Sequence, residues 1–116
     1  MVTTYLKQSE IHGWGVFAKE KIAKGTLMWE FAPGFDLELK LEDFPPQECY
    51  IRHYGSMTEP EIYLLCGDDA RFMNHSENPN VSASGSQNFA LRDIEPDEEI
   101  VCDYREFDID FKGDWK

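Results

Sequence analysis

The chain has 116 residues, which is enough for one hydrophobic core but leaves no room for a second domain. Hydrophobic residues at 41% exclude a disordered chain, and three cysteines cannot build an internal disulfide framework or a four-cysteine zinc site. The N-terminus lacks the pattern of an export signal and no run of about 18 apolar residues occurs, so we expect a soluble, intracellular protein without membrane contact.

The net charge of −12 is concentrated in two segments of the sequence. Residues 35–69 carry two basic and nine acidic side chains, and residues 93–116 carry three basic and ten acidic side chains. Such surfaces repel a phosphate backbone, which argues against direct binding of nucleic acid, and they attract a Lys/Arg-rich protein or peptide. The alternative is that the acidic surface only keeps a small protein soluble.

Short strands and frequent turns dominate the first half of the chain. Residues 4–7, 15–19 and 26–31 are predicted strands. Apolar and polar side chains alternate strictly over residues 35–42, which predicts a half-buried strand, the alternative being the edge of a loop. Residues 47–54, preceded by two prolines and followed by a glycine, are the one convincing helix.

The second half continues the same pattern. Residues 61–66 are predicted as a buried strand, and residues 70–73 as one short helical turn. Residues 81–84 and 88–92 flank a Gly-Ser pair, which predicts a hairpin, and residues 99–103 form a further strand. This pattern of short strands and turns therefore indicates a mostly β fold with short helices.

Three segments carry residue types suited to chemistry: GWGVFA at 13–18, RFMNHSENPN at 71–80 and DEEIVCDY at 97–104. Glycines two residues apart allow positive φ and close approach to a ligand, although such a pair alone is usually just a turn. The middle segment is dense in groups that hydrogen-bond their own backbone, which favours an ordered loop. Tyr104 on its own is typical of a core aromatic residue with a satisfied hydroxyl.

In this order and spacing, the three segments resemble the SET-domain protein-lysine methyltransferases. The middle segment is the specific one, and the absence of zinc-binding flanks is similar to the small viral and bacterial members of the family. The resemblance implies small curved sheets with a C-terminal pseudoknot. It also implies one SET domain over residues 1–116, with a variable insert at about 32–60 and a C-terminal lid segment at about 105–116.

The family binds S-adenosylmethionine, and the resemblance transfers its cofactor contacts to this sequence. The backbone of the glycine motif and the Asn74 side chain would hold the amino-acid end, and the backbone of His75 would meet the adenine. Either Phe107 or Phe111 would stack on the adenine, the alternative being simple packing of the tail formed by Phe107, Ile109, Phe111 and Trp115. The implied cofactor contacts are Gly13, Trp14, Gly15, Tyr63, Arg71, Phe72, Asn74, His75, Tyr104 and Phe107.

The resemblance assigns the substrate-lysine channel to Cys102, Tyr104 and Phe107, with Tyr104 as the catalytic residue and no metal. A methyl group on a sulfonium is already activated, so catalysis needs a neutral amine held in line more than it needs a strong base. The Tyr104 hydroxyl suits an orienting role, because a phenol of pKa about 10 is a poor base at neutral pH. Cys102 stands where the family has Phe or Tyr, which predicts space for several methylation steps.

The predicted function is therefore S-adenosylmethionine-dependent N-methylation of lysine in a basic, histone-like protein tail. The alternative is a catalytically silent SET-fold module that binds basic peptides through its acidic surface. Either protein would act in the cytoplasm, or in the host nucleus if it is viral. The sequence leaves open the host, the substrate protein and whether the chain forms a homodimer.

Overall fold

The structure is a computed structural model that describes residues 3–109 and 111. In this part of the chain, nine strands form three small sheets, and the single α-helix is too short to cross a membrane. The strands are β1 (Thr4–Gln8), β2 (Trp14–Ala18), β3 (Leu27–Glu30), β4 (Leu37–Lys40), β5 (Ser56–Glu59), β6 (Ile62–Leu65), β7 (Asn74–His75), β8 (Gln87–Phe89) and β9 (Glu99–Cys102), and the helix is α1 (Glu48–Tyr54).

The first sheet brings the middle and closing motifs together. Its strand order is β1-β2-β9-β7, with β1, β2 and β9 antiparallel in turn. Strand β7 runs parallel to β9 and places Asn74 opposite Val101 and His75 opposite Cys102. This pairing joins the two segments expected to form the pseudoknot, and it sets Asn74 and His75 close to Tyr104, which follows β9.

The other two sheets are β3-β8 and β4-β6-β5. One face of the second of these packs on α1 and forms a small core with Leu41, Ile51 and Tyr63. The main core lies between the first two sheets and holds Val16, Ala18, Ile22, Met28, Met73, Val81, Ala90, Ile94, Ile100 and Cys102. The segment predicted as the variable insert thus has its own core, and its sheet extends past the predicted end to β6.

The predicted fold class is confirmed, since strands dominate and the sheets are small. The predicted helix is observed at Glu48–Tyr54 after a 3-10 turn at Pro45–Gln47. Two prolines favour a helix start because they fix φ and lack the N–H that the first turn leaves unpaired. Gly55 ends the helix, and a Cβ there would lie 2.6 Å from the carbonyl oxygen of Ile51, so no larger residue fits without movement.

The predicted half-buried strand over residues 35–42 is wrong in length and in burial. Only Leu37–Lys40 is a strand, and Leu37 and Phe35 are 42% and 57% exposed. The strand cannot start earlier because the buried Asp36 side chain accepts hydrogen bonds from the backbone N–H groups of Ala32 and Gly67, which holds a turn there. Strand β4 lies at the edge of its sheet and pairs with a neighbouring strand on one side only.

The predicted hairpin of residues 81–84 and 88–92 is only partly formed. An antiparallel bridge joins Val81 to Ala90, with backbone hydrogen bonds from Ser82 N–H to the Phe89 carbonyl oxygen and from Leu91 N–H to the Asn80 carbonyl oxygen, whereas strand β8 pairs with β3. Gly85 forms the predicted turn, with a φ of +83°. The strand partner of β8, however, is β3, which is distant in sequence. Strand β5 was not predicted, because its sequence Ser-Met-Thr-Glu has no apolar alternation.

Candidate functional site

Two clefts meet at Tyr104. The smaller has a volume of about 140 Å³ and lies between the glycine motif, the end of α1 and the middle motif. The larger has a volume of about 600 Å³ and lies between the β4-β6-β5 sheet, the β3-β8 pair and the segment after β9. Tyr54, Ser56, Arg71 and Tyr104 line both clefts, so they form the wall or passage between the two.

The smaller cleft collects six of the ten residues predicted to contact a cofactor. They come from the glycine motif, the middle motif and the end of the closing motif, segments that are distant in sequence. The first sheet makes this possible by placing β2, β9 and β7 side by side. The six are Gly13, Trp14, Arg71, Phe72, Asn74 and Tyr104.

The two glycines of the opening motif have different physical roles. Gly13 has a φ of +46°, a conformation that L side chains rarely adopt, and a Cβ there would meet no atom within 4 Å. Gly15 has no such φ, but its Cβ would lie 2.5 Å from Oε2 of Glu99. Gly13 therefore permits the turn and borders open space, and Gly15 allows the partly buried Glu99 carboxylate of β9 to approach the turn.

Glu99 and Asn74 hold this turn in place. The Ser9 hydroxyl donates to the Glu99 carboxylate at 2.8 Å, and Nδ2 of Asn74 donates to the same carboxylate and to the carbonyl oxygen of His12, both at 2.9 Å. Asn74 is 4% exposed. Its Oδ1 accepts no hydrogen bond from the described residues, although the residue lines the smaller cleft, so an acceptor is available there for a ligand.

Tyr104 is held from both its backbone and its hydroxyl. The hydroxyl donates to the carbonyl oxygen of Met73, and the backbone N–H donates to Nδ1 of His75 at 3.0 Å. Burial raises the pKa of Tyr104 well above its ordinary value, with smaller contributions from nearby acidic groups. The side chain is therefore a neutral phenol throughout the physiological pH range and cannot act as a general base there.

An ion pair between Asp103 and Arg105 sets the charge distribution beside Tyr104. Arg105 donates to both carboxylate oxygens of Asp103, with the shorter contact at 2.6 Å. These hydrogen bonds lower the pKa of Asp103 to about 2, so it stays ionised. Asp103 Oδ1 also lies 3.7 Å from Nδ1 of His75, which places a permanent negative charge beside the imidazole.

An aromatic cluster surrounds Tyr104. The ring of Phe107 packs edge-on against it with centroids 5.7 Å apart, and Phe107 lines the larger cleft. The ring of Phe111 lies 5.3 Å from Tyr104 and 4.5 Å from His75. The tail thus provides two aromatic side chains at different positions. Trp115, also predicted for the lid, lies outside the described residues, as do residues 110, 112–114 and 116.

All three residues predicted for the lysine channel line the larger cleft, namely Cys102, Tyr104 and Phe107. Cys102 is 4% exposed, and burial raises the pKa of its thiol far above the ordinary value, so it is a neutral, small side chain. Cys66 lines the same cleft, and burial raises the pKa of its thiol to about 12.

Three of the predicted cofactor residues lie elsewhere. Tyr63 is buried in the small core, and its hydroxyl accepts a hydrogen bond from Arg52 at 3.2 Å, so it lines neither cleft. Gly15 and His75 are neighbours of cleft residues and line neither cleft themselves. Both residues support the site indirectly. Gly15 leaves room for the Glu99 carboxylate, and Nδ1 of His75 accepts a hydrogen bond from the backbone N–H of Tyr104.

Sequence reasoning missed two contributions. Tyr54 and Ser56, on either side of the helix end, line both clefts, and Tyr54 packs edge-on against Phe72 at 5.5 Å. The sequence showed the glycine that ends α1, but no local pattern indicated that the turn after this helix faces the middle motif. Glu99 was seen only as part of an acidic turn, and its role depends on the pairing of β9 with β2.

Comparison with known proteins identifies the family. The SET domain family model matches residues 13–105. The chain is 33% identical, over 89% of its length, to an H3 lysine-4 specific histone-lysine N-methyltransferase of Aspergillus oryzae, and 31% identical, over 84% of its length, to the human histone-lysine N-methyltransferase SETD1B. It spans only 10% and 6% of the lengths of these two relatives.

A solved structure agrees in fold. One chain of a humanized mutant of the Chaetomium thermophilum Polycomb Repressive Complex 2 superposes with a TM-score of 0.62 at 23% identity, over 90% of this chain and 15% of that one. The small viral or bacterial subtype stays a prediction. Since the family model spans most of the chain and includes all three motifs that border the clefts, the chain belongs to the SET domain family.

Proposed function

We propose that the smaller cleft binds S-adenosylmethionine, that the larger cleft binds a basic protein segment, and that a lysine of this segment is N-methylated at Tyr104. The observation that carries the proposal is the convergence of two clefts, one built by the glycine motif and one by acidic and aromatic residues, on the same tyrosine. A methyl donor and an amine acceptor must meet in line, and two openings onto one residue suit that requirement.

The residues of the smaller cleft fit the amino-acid end of the cofactor. Nε of Arg71 is buried without a hydrogen-bond partner in the described part of the chain, which suits a carboxylate, and Oδ1 of Asn74 suits an ammonium group. The open space beside Gly13 allows a ligand to approach the backbone there. A buried donor without a partner costs free energy, so a ligand that satisfies it gains affinity.

The adenine end of the cofactor would extend beyond the smaller cleft, to the tail. Phe111 lies against His75, whose backbone is the expected adenine contact, whereas Phe107 lines the larger cleft. We therefore assign the adenine to Phe111 and the lysine channel to Phe107. This assignment removes Phe107 from the cofactor contacts and keeps it among the channel residues.

The chain's own residues would act by positioning. When bound, the cofactor supplies a sulfonium methyl group. Tyr104 presents a neutral hydroxyl whose position is fixed by Met73 and whose backbone is fixed by His75. The rings of Phe107 and Phe111 pack edge-on against its ring and limit its movement. Because Tyr104 cannot take a proton at neutral pH, the substrate ammonium must lose its proton to solvent before transfer.

A methyl-transfer assay tests the proposal. Purified protein is incubated with S-adenosylmethionine and a mixture of histones and ribosomal proteins, and methyl-lysine is identified by mass spectrometry. We expect methylation of lysines in basic segments, at a rate that rises between pH 7 and 9 because free lysine has a pKa of about 10.4. Cofactor binding with no transfer to any protein in the mixture would contradict the proposed activity and favour the silent module.

Asn74→Ala should weaken cofactor affinity. The substitution removes Oδ1 from the cleft and releases the turn that Nδ2 holds, so we expect a loss of about 1–3 kcal/mol in binding free energy. Isothermal titration with S-adenosylmethionine measures it. Asn78→Ala, at an exposed position outside both clefts, serves as the control and should bind like the wild type. Equal affinity in both variants would remove Asn74 from the site.

A further inference from the structure

The sheet β4-β6-β5 has two different faces. One row across it, Leu39, Tyr63 and Met57, belongs to the small core. The adjacent row, Glu38, Leu64 and Ser56, lines the larger cleft. Because side chains alternate along a strand, this register directs Glu38 to the same cleft as Tyr104. The insert therefore contributes a specific carboxylate to the larger cleft.

This carboxylate has no internal partner. The Glu38 side chain is exposed and makes no ion pair or hydrogen bond with a described residue, and the same holds for the side chain of Glu59 on the other outer strand. Two cations line the cleft: Arg105 is paired with Asp103, and Arg71, which donates to the neutral Tyr50 hydroxyl, also lines the smaller cleft. The described walls of the larger cleft carry four carboxylates, Glu38, Glu59, Glu106 and Asp108, so acidic side chains outnumber the cations.

A second observation on the opposite wall points to a ligand in this cleft. Trp29 and Asn88 are cross-strand partners in β3 and β8, are 8% and 6% exposed, and both line the cleft. Nε1 of Trp29 and Oδ1 of Asn88 are buried and have no hydrogen-bond partner among the described residues. Cross-strand partners present their side chains on the same face, and a donor and an acceptor on one face match the C=O and N–H of one residue in an extended peptide, which point the same way.

From these observations we infer that Glu38 determines substrate specificity by pairing with an arginine or lysine that flanks the methylated lysine, while the flanking backbone extends along the wall formed by Trp29 and Asn88. The inference rests on the proposed function and adds to it a named position of charge recognition. A cation in the substrate would supply the partner that the cleft itself lacks.

Peptide scanning tests the inference. Each peptide carries one lysine in a Gly/Ser/Ala background and a single arginine at one of the three positions before or after it. Methylation rates over a range of peptide concentrations, which give kcat and KM separately, and binding by fluorescence anisotropy are measured for the wild type, Glu38→Gln and Glu38→Lys. Glu20→Lys makes the same charge change outside both clefts and is the matched control.

We expect the wild type to favour arginine at one position. Glu38→Gln should raise KM for that peptide by about 2- to 5-fold, the range of an exposed ion pair, with kcat unchanged. Glu38→Lys should prefer glutamate at the same position. An unchanged profile in Glu38→Lys, or the same change in Glu20→Lys, would overturn the inference. If no peptide is methylated, the proposed function fails, and the anisotropy data still decide whether Glu38 reads the flanking charge.

Discussion

Tyr104→Phe is expected to lower the methylation rate by about 10²-fold or more, the range for removal of a positioned polar catalytic group. The substitution keeps the ring, and therefore the contacts with His75, Phe107 and Phe111, and removes only the hydroxyl at the junction of the two clefts. Cofactor affinity should stay within about 2-fold, because the loss affects the transition state more than the bound ground state.

The pH profile separates an orienting role from a basic one. The pKa of Tyr104 is raised, so its hydroxyl does not titrate between pH 7 and 10, and the rise in rate over that range must come from the substrate amine. The residual activity of Tyr104→Phe should therefore rise with pH as in the wild type. Tyr5→Phe, which loses a hydrogen bond to Asp97 outside both clefts, is the control. An unchanged rate in Tyr104→Phe would mean that another group performs its role.

Cys102→Tyr is expected to change the product from trimethyl-lysine to monomethyl-lysine. Cys102 lines the larger cleft beside Tyr104 and is small, so the methylated amine has room to rotate and present its lone pair again. Its neutral thiol forms only weak hydrogen bonds and is a poor group for holding an ordered water or the amine in place. A tyrosine at this position would fill that space and supply a hydroxyl to hold the amine.

Mass spectrometry of an exhaustively treated peptide measures the product distribution. Cys102→Ser keeps the volume and should still form trimethyl-lysine. Cys102 packs in the main core, so the larger ring costs about 1–3 kcal/mol of stability, and a thermal melt of Cys102→Tyr confirms that it folds. A wild-type product that stops at one methyl group, with enzyme and cofactor in excess, would contradict the space inferred beside Tyr104.

The sequence predicted those elements whose signals are local. Helix α1 had its prolines and Gly55, and β2, β3, β6 and β9 had apolar runs bounded by turns. Strand β5 and the pairing of β8 with β3 depend on contacts distant in sequence, and no local pattern encodes them. The alternation over residues 35–42 predicted a strand of eight residues. The observed strand is shorter because the Asp36 side chain accepts hydrogen bonds from backbone groups of neighbouring loops, which the alternation does not reveal.

The sequence predicted those residues of the candidate site that lie in the family motifs. Asn74, Arg71 and Tyr104 reach the cleft because β7 and β9 pair. Tyr63 was assigned to the site on a short match, but side chains alternate along β6, and the register places Leu64 at the larger cleft and Tyr63 in the small core. Glu38 could not be assigned from the sequence, since its face is set by the same register.

The central claim is that the smaller cleft is a cofactor site that ends at Tyr104. Isothermal titration of the wild-type protein with S-adenosylmethionine, and with its homocysteine product, tests it most directly. We predict saturable binding of one cofactor per chain that is weakened by Asn74→Ala and retained by Tyr104→Phe. Absence of binding to the folded wild-type protein at millimolar cofactor would contradict the claim.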